Sequence, residues 1–286
     1  MQEIAPHVYI ETGYIGVTLG AINWPHGLIL IDCPFRPEDA RSWRSALLNL
    51  GGGVDRMMVT LDGHHDRTIG SRAMECTVVA HQDVANLFRA RSSTFKTNPS
   101  GTGAEWELYS SLGTIRWVLP EISFSEKLLI YWDDTPISLE HRPGSAEGAI
   151  WAVLPKQNIV FLGDAVMSSQ PPFLETADIP LWIDSLQELL SEEYQNYLLV
   201  SGREGLVTHN DVRSQISLLA KINRLLESLL SENAMPDETN SLVPKLMDDF
   251  EFSIEREIIY QQRLSYGLKS YYRRISGLSD IESEEI

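Results

Sequence analysis

A chain of 286 residues, 43% hydrophobic and 22% charged, has the material for one large domain with a sizeable core, or for a domain plus an appendage. Its formal charge of −17 argues against a nucleic-acid partner and against anionic membranes, both of which need clustered Lys and Arg. No apolar run approaches the roughly 18 residues that span a bilayer. Residues 1–7 lack the flank and core of a signal peptide. Cys33 and Cys76 give no disulfide framework or metal knuckle, so a reducing cytoplasm is the expected location.

Short apolar or alternating runs at 7–11, 17–23 and 28–32, separated by Gly, Asn and Pro, predict strands. Pro37 opens a helix with Trp43, Ala46, Leu47 and Leu50 at helical spacing, and Gly51 to Gly53 end it. A strand at 56–60 leads into the polar cluster Asp62, Gly63, His64, His65, Asp66, Arg67. A short helix over 69–75, a strand at 77–80 and a helix at 84–91 complete one α/β half. Residues 92–103 read as a loop and 104–112 as a helix. A meander follows, with strands at 122–124, 127–131, 137–141, 149–154 and 159–163. Residues 181–197 and 212–230 are amphipathic, and Thr208 with Asp211 forms a capping box ahead of the second. Strands then helices, twice, imply two halves whose sheets pack face to face. After a polar connector at 231–240, a helical extension runs over 242–275, broken near 250–253, and then an acidic tail with Asp280, Glu282, Glu284 and Glu285. Ile254, Ile258, Leu268, Tyr272 and Ile275 form one face of that extension. The face either packs on the domain of residues 1–230 or makes a homodimer interface.

The polar cluster resembles the H-x-H-x-D-H motif of the metallo-β-lactamase superfamily. Four further segments match that family in order: 28–32 as its strand ending in Asp, 142–148 as its P-G-H-T-x-G turn, 159–164 as its apolar strand ending in Gly-Asp, and 200–205 as its G-H-G. The likeness spans roughly residues 5–230. It implies a four-layer αββα sandwich, with glyoxalase II-like thioester hydrolysis as the nearest chemistry by analogy.

The departures from the family fall on its metal ligands. Asp62 stands at the first His position, Arg67 at the third motif His, Ser145 at the His of the turn and Arg203 at the last His. His64, Asp66 and Asp164 keep the family's residue type. Arg67 and Arg203 have no acceptor and stay protonated, and a serine is a poor zinc ligand. The leading expectation is therefore an Arg–Asp network in place of the dinuclear centre, no cofactor, and a non-catalytic or small-molecule-binding protein. The alternative is an ester, thioester or phosphoester hydrolase. It would use one Mn, Fe, Mg or Zn ion on Asp62, His64 and Asp164, with Asp66 orienting the hydroxide.

Other residues carry weaker signals. His65, Glu147 and Glu204 are expected around the pocket, and the loop 168–173 as one of its walls. Asp32 is read as capping backbone amides beneath the site. Ser145 has no visible triad to make it a nucleophile. His141 is a strand-end residue, and His7, His26, His81 and His209 have no partner at informative spacing.

Overall fold

The computed structural model describes residues 1–277 apart from 52, 92–93, 97–100, 110–111 and 113; the acidic tail lies outside the described residues. The first half is built from β1 (Gln2–Ala5), β2 (Val8–Glu11), β3 (Leu19–Asn23), β4 (Gly27–Ile31), α1 (Pro37–Leu47), β5 (Asp55–Val59), β6 (Thr77–His81) and α2 (Gln82–Ala90). A small hairpin of β7 (Thr94–Lys96) and β8 (Thr114–Arg116) follows, and then β9 (Ile122–Phe124). The second half holds β10 (Lys127–Ile130), β11 (Ile137–His141), β12 (Ile150–Leu154), β13 (Ile159–Phe161), α3 (Ile179–Glu188), β14 (Leu198–Ser201), β15 (Gly205–Val207) and α4 (His209–Ser231). A 3₁₀ turn at Pro236–Leu242, α5 (Val243–Met247) and α6 (Ile254–Ile275) complete the chain.

One sheet runs β1-β2-β3-β4-β5-β6-β9 and the other β10-β11-β12-β13-β14-β15. Ile22, Ile29, Ile31 and Val59 of the first sheet meet Ile137, Leu139, Ile150 and Phe161 of the second in a fully buried core. Burying each such side chain contributes about 1.5–3 kcal/mol. On the outer face of the first sheet, α1 presents Ala40, Trp43 and Leu47 at helical spacing. Its Pro37 start, acidic first turn and Arg44 in the last turn suit the helix dipole. On the outer face of the second sheet lie α3 and α4, the latter opened by the capping box of Thr208 and Asp211.

Several local expectations change. The first strand of the meander, β9, instead joins the first sheet parallel to β6, with Val79 opposite Ile122, because the edge of β6 offers unpaired backbone groups. The helix expected at 104–112 is only a 3₁₀ turn, Glu105–Leu108, whose opening N–H groups, of Glu105 and Trp106, are accepted by the Asp66 carboxylate. The helix expected at 181–197 spans Ile179–Glu188, and that expected at 69–75 is a 3₁₀ turn, Ser71–Met74. Of the five residues on the expected face of the extension, Leu268 and Tyr272 are buried in the same core as α3 and α4, while Ile254 and Ile258 are exposed. No described helix is long and apolar enough to cross a membrane.

Candidate functional site

The site is assembled from chain segments that leave the C-terminal ends of strands. Asp32 follows β4 and takes a left-handed backbone (φ 58°), held by its side chain: Oδ1 accepts the Leu61 N–H at 2.9 Å and Oδ2 accepts from Arg67 Nη1 at 2.8 Å. After β5 the chain turns through Asp62, whose Oδ1 accepts the His64 N–H at 2.8 Å. His64 then caps the 3₁₀ turn His65–Arg67, its Nδ1 accepting the Asp66 N–H at 3.2 Å. Asp164 sits in the turn after β13, and Arg203 in the turn between β14 and β15. Glycine is required beside it: a Cβ on Gly202 would lie 2.7 Å from Arg67 Nη1 and 2.8 Å from the Gly163 carbonyl carbon.

Asp62, His64, Asp66, Arg67, Asp164 and Arg203 come together as one buried cluster. Arg67 reaches three carboxylates. Besides Asp32, its Nη2 donates to Asp164 Oδ1, and its Nε lies 3.1 Å from Asp62 Oδ1 as an ion pair off the hydrogen-bond direction. Arg203 joins Asp164, Asp66 and His64. Its Nε is 3.0 Å from both oxygens of Asp164, its Nη1 donates to Asp66 Oδ2 at 2.8 Å, and its Nη2 lies 3.0 Å from His64 Nδ1.

Two guanidiniums thus face four carboxylates in a water-excluded place, and the titrations follow. Burial, with the neighbouring Asp62, pushes Asp32 up to about 7 against the pull of Arg67. Asp62 is also raised, by burial first and by Asp164. Asp66 and Asp164 are held low: burial opposes this, and Arg203 beside both overrides it. His64 falls well below its ordinary value through burial and Arg203, so it is neutral. The arginines thus favour the charged forms of Asp66 and Asp164, while burial weighs against the charged forms of Asp32 and Asp62.

Above this cluster lies a cavity of about 400 Å³. Asp62, His64, Ser145 and Asp164 line its floor side, and Trp106, Phe173 and Leu174 its apolar walls. His65 and Glu147 also line it. Burial and Arg91 push His65 down to about 3, leaving it neutral beside Trp106 and Trp117. Glu204 is not among the lining residues; its carboxylate accepts from the N–H and hydroxyl of Ser168 and Ser169, fixing the loop that carries Phe173.

Sequence reasoning misses the contribution of α6. Arg263, fully buried, donates from Nε to Gly103 O at 2.9 Å and from Nη1 to Gln170 Oε1 at 2.8 Å and Pro171 O at 3.1 Å. Its guanidinium lies 4.1 Å from the Phe173 ring centre, and that of Arg203 lies 4.5 Å from the same ring. Burial and the nearby Arg203 pull Arg263 down to about 10. Arg256 pairs with Glu105, next to the Asp66-bound backbone. No local pattern marks these arginines, because their partners are some 90–160 residues away.

The architecture has well-matched counterparts among solved structures. A metallo-β-lactamase family protein from Thermus thermophilus superposes with a TM-score of 0.65 at 16% identity, covering 96% of this chain and 95% of its own. The chain has the metallo-β-lactamase fold. A metallo-β-lactamase from Pontibacter korlensis matches with a TM-score of 0.61 at 18% identity, over 77% of this chain and 97% of its own. The sec-alkylsulfatase Pisa1 from Pseudomonas sp. matches at 0.69 and 16% identity over 98% of this chain, which spans half the length of that protein. No family model and no curated protein matches the chain by sequence.

Proposed function

We propose that this metallo-β-lactamase-fold chain binds a small molecule in the cavity above the Arg–Asp cluster and does not use a dinuclear metal centre. The observation that carries this reading is Arg203. Its three nitrogens contact both oxygens of Asp164, one oxygen of Asp66 and the ring nitrogen of His64. Those acceptors are the ones an ion would need, and a guanidinium cannot give up its proton to become a ligand. Together Arg67 and Arg203 bring the charge of one divalent ion as fixed side chains. The donor set therefore does not fit a metal as it stands. Asp62 Oδ1 is engaged by the His64 N–H and by Arg67, Asp164 by both arginines, and His64 Nδ1 by Asp66 and Arg203.

The cavity suits a compact ligand. Its volume falls in the range of small-molecule sites, roughly 300–1,000 Å³, and it combines apolar walls with a few convergent polar groups. The test is elemental metal analysis of protein purified without chelator, before and after addition of Mn²⁺, Fe²⁺ or Zn²⁺, with Asp164→Ala as control. The expected result is no metal dependent on Asp164. Stoichiometric metal lost in Asp164→Ala would overturn the reading. It would favour a mononuclear hydrolase, to be assayed on thioesters, phosphoesters and, given the alkylsulfatase neighbour, sulfate esters.

A further inference from the structure

A second cluster of ligating side chains lies away from the cavity. His81 ends β6, Asp83 stands in the first turn of α2, and His141 ends β11, so the cluster joins the end of an inner strand of one sheet to the end of an inner strand of the other. Their ligating atoms all lie within 4.8 Å of one another. The imidazoles of His81 and His141 stack with centroids 4.0 Å apart.

The hydrogen bonds of His81 fix which nitrogen is available. Nε2 lies 2.6 Å from the Ser125 carbonyl oxygen, which only accepts, so the Nε2 carries the proton. Nδ1 is therefore the nitrogen with the lone pair; it caps α2 by accepting the Asp83 backbone N–H at 3.2 Å, a long contact that an ion would replace. The carboxylate Oδ2 of Asp83 stands 3.3 Å from that same Nδ1. A lone pair and a carboxylate oxygen at this separation are held together by a cation between them, either a proton on Nδ1 or a metal ion. A histidine whose far N–H is held by a backbone carbonyl is also the usual arrangement behind a metal-ligating imidazole. The spacing suits an ion: donors around a tetrahedral zinc with Zn–N of about 2.0–2.1 Å stand roughly 3.3–3.4 Å apart.

We propose that His81, Asp83 and His141 form a binding site for a divalent transition-metal ion of the zinc class, which clasps the first sheet to the second. Two imidazoles select this class over Mg²⁺ or Ca²⁺, which prefer all-oxygen sets. The surroundings agree. Glu126 adds negative charge nearby. The adjacent cation, Arg142, is committed to Glu140 and Glu188. The partly exposed Asp83 leaves a path for the ion and a coordination position for water.

The test is titration of the metal-stripped full chain with Zn²⁺ by calorimetry, with Co²⁺ absorption as a report on coordination. One zinc per chain is expected, with affinity falling at least 10-fold in His141→Ala and in Asp83→Asn and unchanged in Asp164→Ala. Zinc should raise the Tm of the wild type and leave that of His141→Ala where it was. Absence of binding, or binding that His141→Ala does not weaken, overturns the proposal. Zinc lost in Asp164→Ala but kept in His141→Ala overturns it too, and places the ion at the cavity floor instead, so the two readings fail separately.

Discussion

The floor of the cavity and the histidine cluster are both built at the C-terminal ends of neighbouring parallel strands, β5 and β6, yet they solve opposite problems. At the floor, Arg67 and Arg203 supply cations to Asp32, Asp62, Asp66 and Asp164, and burial makes those contacts strong. At the cluster, His81 and Asp83 turn acceptors toward each other with no side-chain cation from the described residues between them. The first resembles a metal site by position in the fold and is filled by its own side chains. The second has no counterpart in the family motif and has the donor chemistry. Position in a fold therefore does not by itself fix the donor chemistry found there.

The largest effect that would sharpen this contrast is expected from Arg67→Met. Removing the guanidinium leaves Asp32, Asp62 and Asp164 buried around an uncharged side chain, and breaking such a set costs about 3–5 kcal/mol. Urea unfolding measures it. A loss under about 1 kcal/mol would mean that protonation alone can hold the carboxylates, and that the arginine is not what organises the floor.

Arg263→Met probes the roof of the same region. It strips donors from Gly103 O, Pro171 O and Gln170 Oε1, leaving buried acceptors unanswered at a cost of about 1–3 kcal/mol. Amide exchange should quicken in residues 101–109 and 168–170, which Arg263 ties together. Unchanged exchange there would show that the walls stand without α6.

A third contrast is in pH dependence. The folded-state pKa of Asp32 is raised to about 7, above an unfolded value of about 3.9, so between those limits the folded state binds the extra proton. This group therefore lowers stability as pH rises from about 4 to 7, by at most about 1.4 kcal/mol per pH unit. Asp66 and Asp164 are depressed and act in the other direction: their stabilisation is present above about pH 4 and lost as pH falls below it. Asp32→Asn should flatten the slope between pH 4 and 7 and leave the acid limb. An unchanged slope would place the proton elsewhere.

Much of the fold is legible because its signals are local. The continuous apolar run of β4, the proline start of α1 and the capping box of α4 each fix an element within a few residues. The ordered motifs at Asp62 to Arg67, Ser145, Asp164 and Arg203 also locate the site, because strand ends bring those turns together. What stays hidden is long-range. Asp32 reads as a backbone cap, and it is one, but its second oxygen pairs with Arg67 35 residues on. The first amides of the 3₁₀ turn at Glu105–Leu108 are held by a carboxylate 39 and 40 residues earlier. His81 and His141 lie on strands of different sheets, and no spacing along the chain relates them.

The smallest expected effect separates the two regions most cleanly. In the presence of EDTA, His141→Ala should cost less than about 1 kcal/mol, since it removes one stacked, half-buried ring and leaves no buried charge alone. The histidine cluster would then contribute little to stability by itself, unlike the floor, where one deletion strands several carboxylates. Repeating the measurement in excess zinc should widen the gap between wild type and variant, because an ion that binds only the folded state stabilises it in proportion to the logarithm of its concentration over Kd. The gap for Arg67→Met should be the same with and without zinc. If instead zinc narrows the Arg67→Met deficit and does nothing to His141→Ala, the ion enters the floor once its arginine is gone, and the fold's usual metal position retains a capacity that the guanidinium masks.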